Sequence, residues 1–119
     1  TGNRLEIDQL KMILRKMKDA VVVVDEAYAL FYNNDHSHLK DIIDEFPNVL
    51  IIRTFSKYYG LAGIRIGFVL MGDNHTAFSM FSARYLGYNR LSEQLAIAAL
   101  DSNEYYDAMR NKMAAEAET

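Results

Sequence analysis

Apolar residues first recur at Ile7, Leu10, Ile13, Leu14 and Met17, the spacing of one helical face over Leu5 to Lys18. The period then changes. Ala20 to Val24 carries four consecutive valines, too short for a helix and β-branched, so it predicts a strand buried on both faces. That run stops at Asp25-Glu26. Phe31 to His38 is polar and loop-like, Leu39 to Phe46 predicts a short helix ended by Pro47, and Val49 to Arg53 predicts a second buried strand. Ile64 to Met71 predicts a third strand, interrupted by Gly67 and closed by Gly72-Asp73. Helical spacing comes next: Asp73 as a cap with a helix through Phe81, a helix opened by Leu91 or Ser92, and a last one capped by Asn103 and fraying at its end. Helices alternating with strands predict an α/β sheet. No linker or repeat divides the chain, so residues 1–119 are expected to be one domain.

Composition narrows the class without naming a function. Half of the 119 residues are hydrophobic and 24% charged, the balance of an ordinary globular protein. A net charge of −3 gives no field for nucleic acid or anionic membrane, and no apolar run has the length of a membrane span. There is no cysteine, which excludes disulfides and thiolate zinc sites and fits a cytoplasmic protein.

The chemistry concentrates at two predicted strand ends. Ligands of open α/β sheets sit beyond the carboxyl ends of the strands. Asp25 follows the first strand; Thr54, Ser56 and Lys57 follow the second, and Arg65 comes eight positions after the lysine. A partly desolvated lysine can form a Schiff base with an aldehyde. Two hydroxyls and a guanidinium suit a phosphate, and a carboxylate suits a protonated ring nitrogen. Aldehyde, phosphate and basic ring nitrogen together describe pyridoxal 5′-phosphate.

These residues also resemble a known family. VVVVDEAY (Val21 to Tyr28) and TFSKYYGLAGIRIGF (Thr54 to Phe68) look like the two signature segments of fold-type I pyridoxal-phosphate-dependent aminotransferases. The likeness is closest to the class I/II group that includes histidinol-phosphate aminotransferase, and it weakens after about Met71. It implies a three-layer α/β/α large-domain fragment, with a mostly parallel sheet and an antiparallel strand after the lysine. Lys57 would hold the cofactor covalently and shuttle the substrate proton. Asp25 would pair with the ring nitrogen; at about 4 Å and an effective dielectric of about 20 such a pair contributes roughly 4 kcal/mol, or about three pKa units. Tyr28 would hydrogen-bond the phenolic oxygen, and Ala27 would let the ring lie flat. Thr54, Ser56 and Arg65 would hold the phosphate, with Gly60 and Gly63 allowing the tight turn. The substrates would be an amino acid and a 2-oxo acid, and the assembly a homodimer.

The family's Asn-Pro-Thr-Gly motif begins before Thr1-Gly2, and its upstream phosphate loop and its small-domain arginine have no counterpart, so the chain reads as the middle slice of a large domain. Two other readings remain at this point. VVVVDEA also resembles a Walker B strand, in which the aspartate holds magnesium; it leaves Thr54, Ser56 and Arg65 unexplained. The chain could also be a non-catalytic aminotransferase remnant. Taken singly, Glu26 reads as a partner for an arginine, Arg65 as half of a surface salt bridge, and His36 and His38 as solvated loop residues with no third metal ligand nearby. The tyrosines at 85, 88, 105 and 106 read as packing or interface residues.

Overall fold

A computed structural model describes residues 5–32, 36–72 and 89–117. In chain order the elements are α1 (Ile7–Lys16), β1 (Val22–Asp25), a 3₁₀ turn (Ala29–Phe31), α2 (Ser37–Glu45) and β2 (Val49–Thr54). A second 3₁₀ turn (Ala62–Ile64), β3 (Gly67–Met71), α3 (Arg90–Leu100) and α4 (Asn103–Ala117) complete the order. The sheet order is β1-β2-β3, and β1 runs parallel to β2 with Val22 opposite Val49 and Asp25 opposite Ile52. The β2–β3 contacts step in opposite senses: the Phe55 N–H donates to the Ile66 carbonyl at 3.2 Å, while Gly67 abuts the Arg53 carbonyl. That is the antiparallel return expected after the lysine, and it makes the sheet mixed.

The described residues fall into two compact units. The first holds α1, β1, α2, β2 up to Ile52 and β3 from Val69. Leu10 and Leu14 of α1 pack with Leu39 and Ile42 of α2, Phe46, and the inward side chains Val49 and Ile51 of β2. Val22, Val24 and Leu70 complete this core. Glu45 ties the two helices, accepting from Lys11 Nζ and from Arg15 Nη2 at 2.7 Å each. These two donors hold its carboxyl below the ordinary value. Asn48 Nδ2 donates to the carbonyls of Leu14, Met17 and Ala20, closing the α1–β1 connection.

The second unit holds the Glu26–Tyr32 segment, the chain from Arg53 to Phe68, and helices α3 and α4. Its core is Leu30, Phe55, Tyr59, Ala96 and Ala99, with Tyr58, Ile64, Phe68 and Tyr106 against it. Small residues on α3 let that helix approach the aromatic cluster closely. Tyr106 donates its hydroxyl to the Tyr59 carbonyl at 3.2 Å. Burial pushes the phenols of Tyr58, Tyr59 and Tyr106 up from their ordinary value.

Several expectations are corrected. β1 is not buried on both faces: Val22 and Val24 join the core, while Val21 and Val23 are 49% and 54% exposed. The described elements of this unit pack on the Val22–Val24 side, so the pleat sorts the valines into two classes. β3 starts at Gly67 rather than Ile64, because Ile64 completes a 3₁₀ turn and Arg65 turns left-handed. Asn89 caps α3, its Oδ1 accepting from Leu91 N and Ser92 N, so the cap lies before the residues expected to open that helix. Asn103 is already the first residue of α4, and the helix continues to Ala117. His38 lies in α2 rather than in a loop. The helix expected over Asp73–Phe81, and Tyr85 and Tyr88, lie outside the described residues.

Candidate functional site

Asp25 is the last residue of β1, in the first unit. The other expected site residues, Ala27, Tyr28, Thr54, Ser56, Lys57 and Arg65, belong to the second. Two short segments of that unit carry these six.

The first segment leaves β1 as a turn, Ala29 N–H donating to the Glu26 carbonyl at 3.1 Å. Tyr28 sits in it 59% exposed, its ring stacked on Phe31 with centroids 6.2 Å apart. Ala27 beside it is half-buried.

The second segment leaves β2. Thr54 Oγ1 accepts from the Ser56 N–H at 3.0 Å, a local turn that hydroxyl residues favour. Phe55 is buried and anchors the loop beyond it, its carbonyl accepting from Leu61 N–H at 3.0 Å. Between these anchors the chain makes a tight turn, Gly60 N–H to the Lys57 carbonyl at 2.9 Å, with Gly60 at φ +65°. A buried phenylalanine and a closed turn thus present Lys57 outward. Its ammonium lies 5.4 Å from the Tyr28 ring centroid, within cation–π range. Lys57 also borders a cavity of about 360 Å³, walled by Tyr58, Tyr105, Tyr106 and Met109, with Arg110 beside them.

Arg65 closes the segment at φ 55° and ψ 44°, left-handed and not glycine. Gly63, expected to allow the fold-back, has no positive φ; the burden falls on the arginine. Its guanidinium donates to the Ala62 carbonyl at 3.2 Å and is exposed. Backbone strain of this kind concentrates where a side chain has to be aimed.

One pair is not legible in the local sequence. Arg53 is 6% exposed, and its Nε and Nη2 both donate to Glu26 Oε2, at 2.9 and 2.7 Å. A signal for it exists: an arginine continuing the apolar run Val49–Ile52 is set for the interior, and a buried charge needs a partner. Glu26 does partner an arginine, as its type suggests, but nothing in the local pattern says which one.

The arrangement is that of an α/β chain with a mixed sheet and a lysine displayed on the turn after its second strand. The chain belongs to the class I and II aminotransferase family, whose model matches residues 1–119. It is 37% identical over 120 residues to histidinol-phosphate aminotransferase of Staphylococcus saprophyticus, an alignment covering 99% of this chain and 34% of that protein. It is 35% identical to aromatic amino acid aminotransferase of Cutibacterium acnes, covering 98% of this chain and 34% of that one. The solved histidinol-phosphate aminotransferase of Sinorhizobium meliloti, a complex with pyridoxal-5′-phosphate, superposes with a TM-score of 0.82 at 32% identity. That match covers 96% of this chain and 31% of the other. The chain therefore spans about a third of the length of these relatives. Family membership removes the Walker B reading of VVVVDEA.

Proposed function

We propose that this chain is part of the cofactor-binding large domain of a pyridoxal-phosphate-dependent aminotransferase, with Lys57 as the attachment point. The observation that carries the reading is the local build around Lys57. A buried Phe55 and a closed turn hold an exposed amine over an exposed tyrosine ring, with Thr54 and Ser56 just before it in the chain and Arg65 eight positions after it. These residue types fit the group. The amine suits its aldehyde, the tyrosine hydroxyl can donate to its ring oxygen, and the hydroxyls and guanidinium suit its phosphate. By the resemblance, Asp25 would meet the ring nitrogen and Ala27 the ring face.

When bound, the cofactor supplies an electron sink for the carbanion formed at the substrate Cα. The chain's own residues do the rest. Arg65, Thr54 and Ser56 bind and orient, and a carboxylate at Asp25 favours the protonated ring nitrogen. The amine of Lys57 would take the proton from the substrate Cα and carry it toward the cofactor's C4′ carbon. The substrate pair is an amino acid and a 2-oxo acid, the setting is cytoplasmic, and the working form is a homodimer, as the family resemblance implies.

The test is to mix the purified chain with pyridoxal phosphate, reduce with borohydride, and map the modified residue. Label at Lys57 supports the reading. A folded chain labelled elsewhere, or not at all, overturns it.

A further inference from the structure

We propose that the Glu26–Arg53 ion pair is a positioning device that holds Lys57 against Tyr28 and so sets where the amine can meet an aldehyde. The use of that amine rests on the function proposed above; the geometry does not.

The pair joins the two segments that carry the site. Glu26 opens the turn that presents Tyr28, its own carbonyl accepting from Ala29 N–H at 3.1 Å. Arg53 lies at the other segment's root. Its carbonyl faces Gly67 so closely that a Cβ there would stand 2.8 Å away, which fixes the backbone at that point. From Arg53 the chain passes Phe55, hydrogen-bonded to both Ile66 and Leu61, and reaches the Lys57–Gly60 turn. Tyr28 and Lys57 are thus each a short, internally bonded step from one end of the pair. They meet at 5.4 Å although both are exposed, the Tyr28 ring resting on the half-buried Phe31. Glu26 and Arg53, by contrast, have side chains 17% and 8% exposed. A buried charge pair of this kind has one geometry, whereas the exposed pair it supports has many.

Arg53 Nε and Nη2 donate to the same carboxylate oxygen. A glutamine oxygen can accept both bonds as well. Glu26→Gln should therefore keep the positions while removing the charge, and Glu26→Ala should lose them.

The cofactor-free readout is the NMR shift of the Lys57 ε-methylene, which a nearby Tyr28 ring displaces upfield. The displacement is expected in the unaltered chain and in Glu26→Gln, and lost in Glu26→Ala. The second readout is the rate of borohydride-fixed labelling of Lys57 by pyridoxal phosphate. A misplacement of about 1 Å can slow a reaction about 10²-fold, so Glu26→Ala should label at least about tenfold more slowly, with Glu26→Gln close to the unaltered chain. Circular dichroism checks that each variant is folded. A folded Glu26→Ala that keeps both the displacement and the labelling rate overturns the proposal. Loss of the displacement in Glu26→Gln equal to that in Glu26→Ala also overturns it, because charge and not geometry would then be responsible. If the unaltered chain takes no label while Glu26→Ala still loses the displacement, the cofactor reading fails and the positioning role of the pair stands.

Discussion

Replacing Arg65 by glycine should stabilise the chain while weakening its hold on a phosphate. Arg65 sits at φ 55° and ψ 44°. A left-handed backbone costs an L-residue roughly 1–2 kcal/mol, which glycine does not incur. Glycine loses more chain entropy on folding, roughly 0.5–1 kcal/mol. Among the described residues the hydrogen bond given up, to the Ala62 carbonyl at 3.2 Å, is solvent-exposed and adds little. The balance is a gain of about 0.5–1 kcal/mol. With a urea slope of about 1.5 kcal/mol/M, the midpoint should rise by roughly 0.3–0.7 M. Arg15→Gly, in the last turn of α1, is the control: its stability should fall by about 1 kcal/mol from helix propensity, and further from the loss of its exposed ion pair with Glu45. The same Arg65→Gly chain should bind pyridoxal phosphate more weakly. A hydrogen bond to a charged group contributes about 1.5–3 kcal/mol, so the dissociation constant should rise at least about tenfold. Opposite signs in urea titration and cofactor titration are the expected result. A midpoint that drops as in the control would refute the strain argument. Unchanged affinity would refute the phosphate role of Arg65.

The same geometry sets other expectations. Lys57→Ala should abolish borohydride-fixed labelling and leave stability in urea within about 0.5 kcal/mol, since the side chain is exposed; unfolding would make the lysine structural. Gly67→Ala places a Cβ 2.8 Å from the Arg53 carbonyl and should destabilise by about 1–3 kcal/mol. Gly63→Ala, with open space around it, should be neutral or stabilising by up to about 1 kcal/mol in the same assay. Asn48→Ala strips a donor from three carbonyls and should cost about 1–3 kcal/mol by thermal unfolding. Tyr58, Tyr59 and Tyr106 have phenols raised by burial above the ordinary 10.0. A raised phenol favours the fold fully below the unfolded value and loses that contribution as pH rises through the folded value. Absorbance titration should therefore show a delayed tyrosinate step that coincides with unfolding on the alkaline side of pH 10. A single step at the ordinary value, with the fold intact, would contradict the burial.

What the sequence determined is what neighbouring residues decide among themselves. The 3.6-residue spacing of Leu10 and Leu14 specifies α1, and Pro47 ends α2, because helix formation and termination act over a few residues. The run of valines specifies a strand, and Thr54, Ser56, Lys57 and Arg65 announce their chemistry by type and spacing. Only the tertiary structure decided which valines are covered, since that depends on what packs against each side of β1. It also decided that Arg53 pairs with Glu26, 27 positions away, and that Arg65 rather than a glycine takes the left-handed turn. A buried charge selects its partner, and a strained backbone is held, through contacts between segments remote in sequence. No local pattern encodes such contacts.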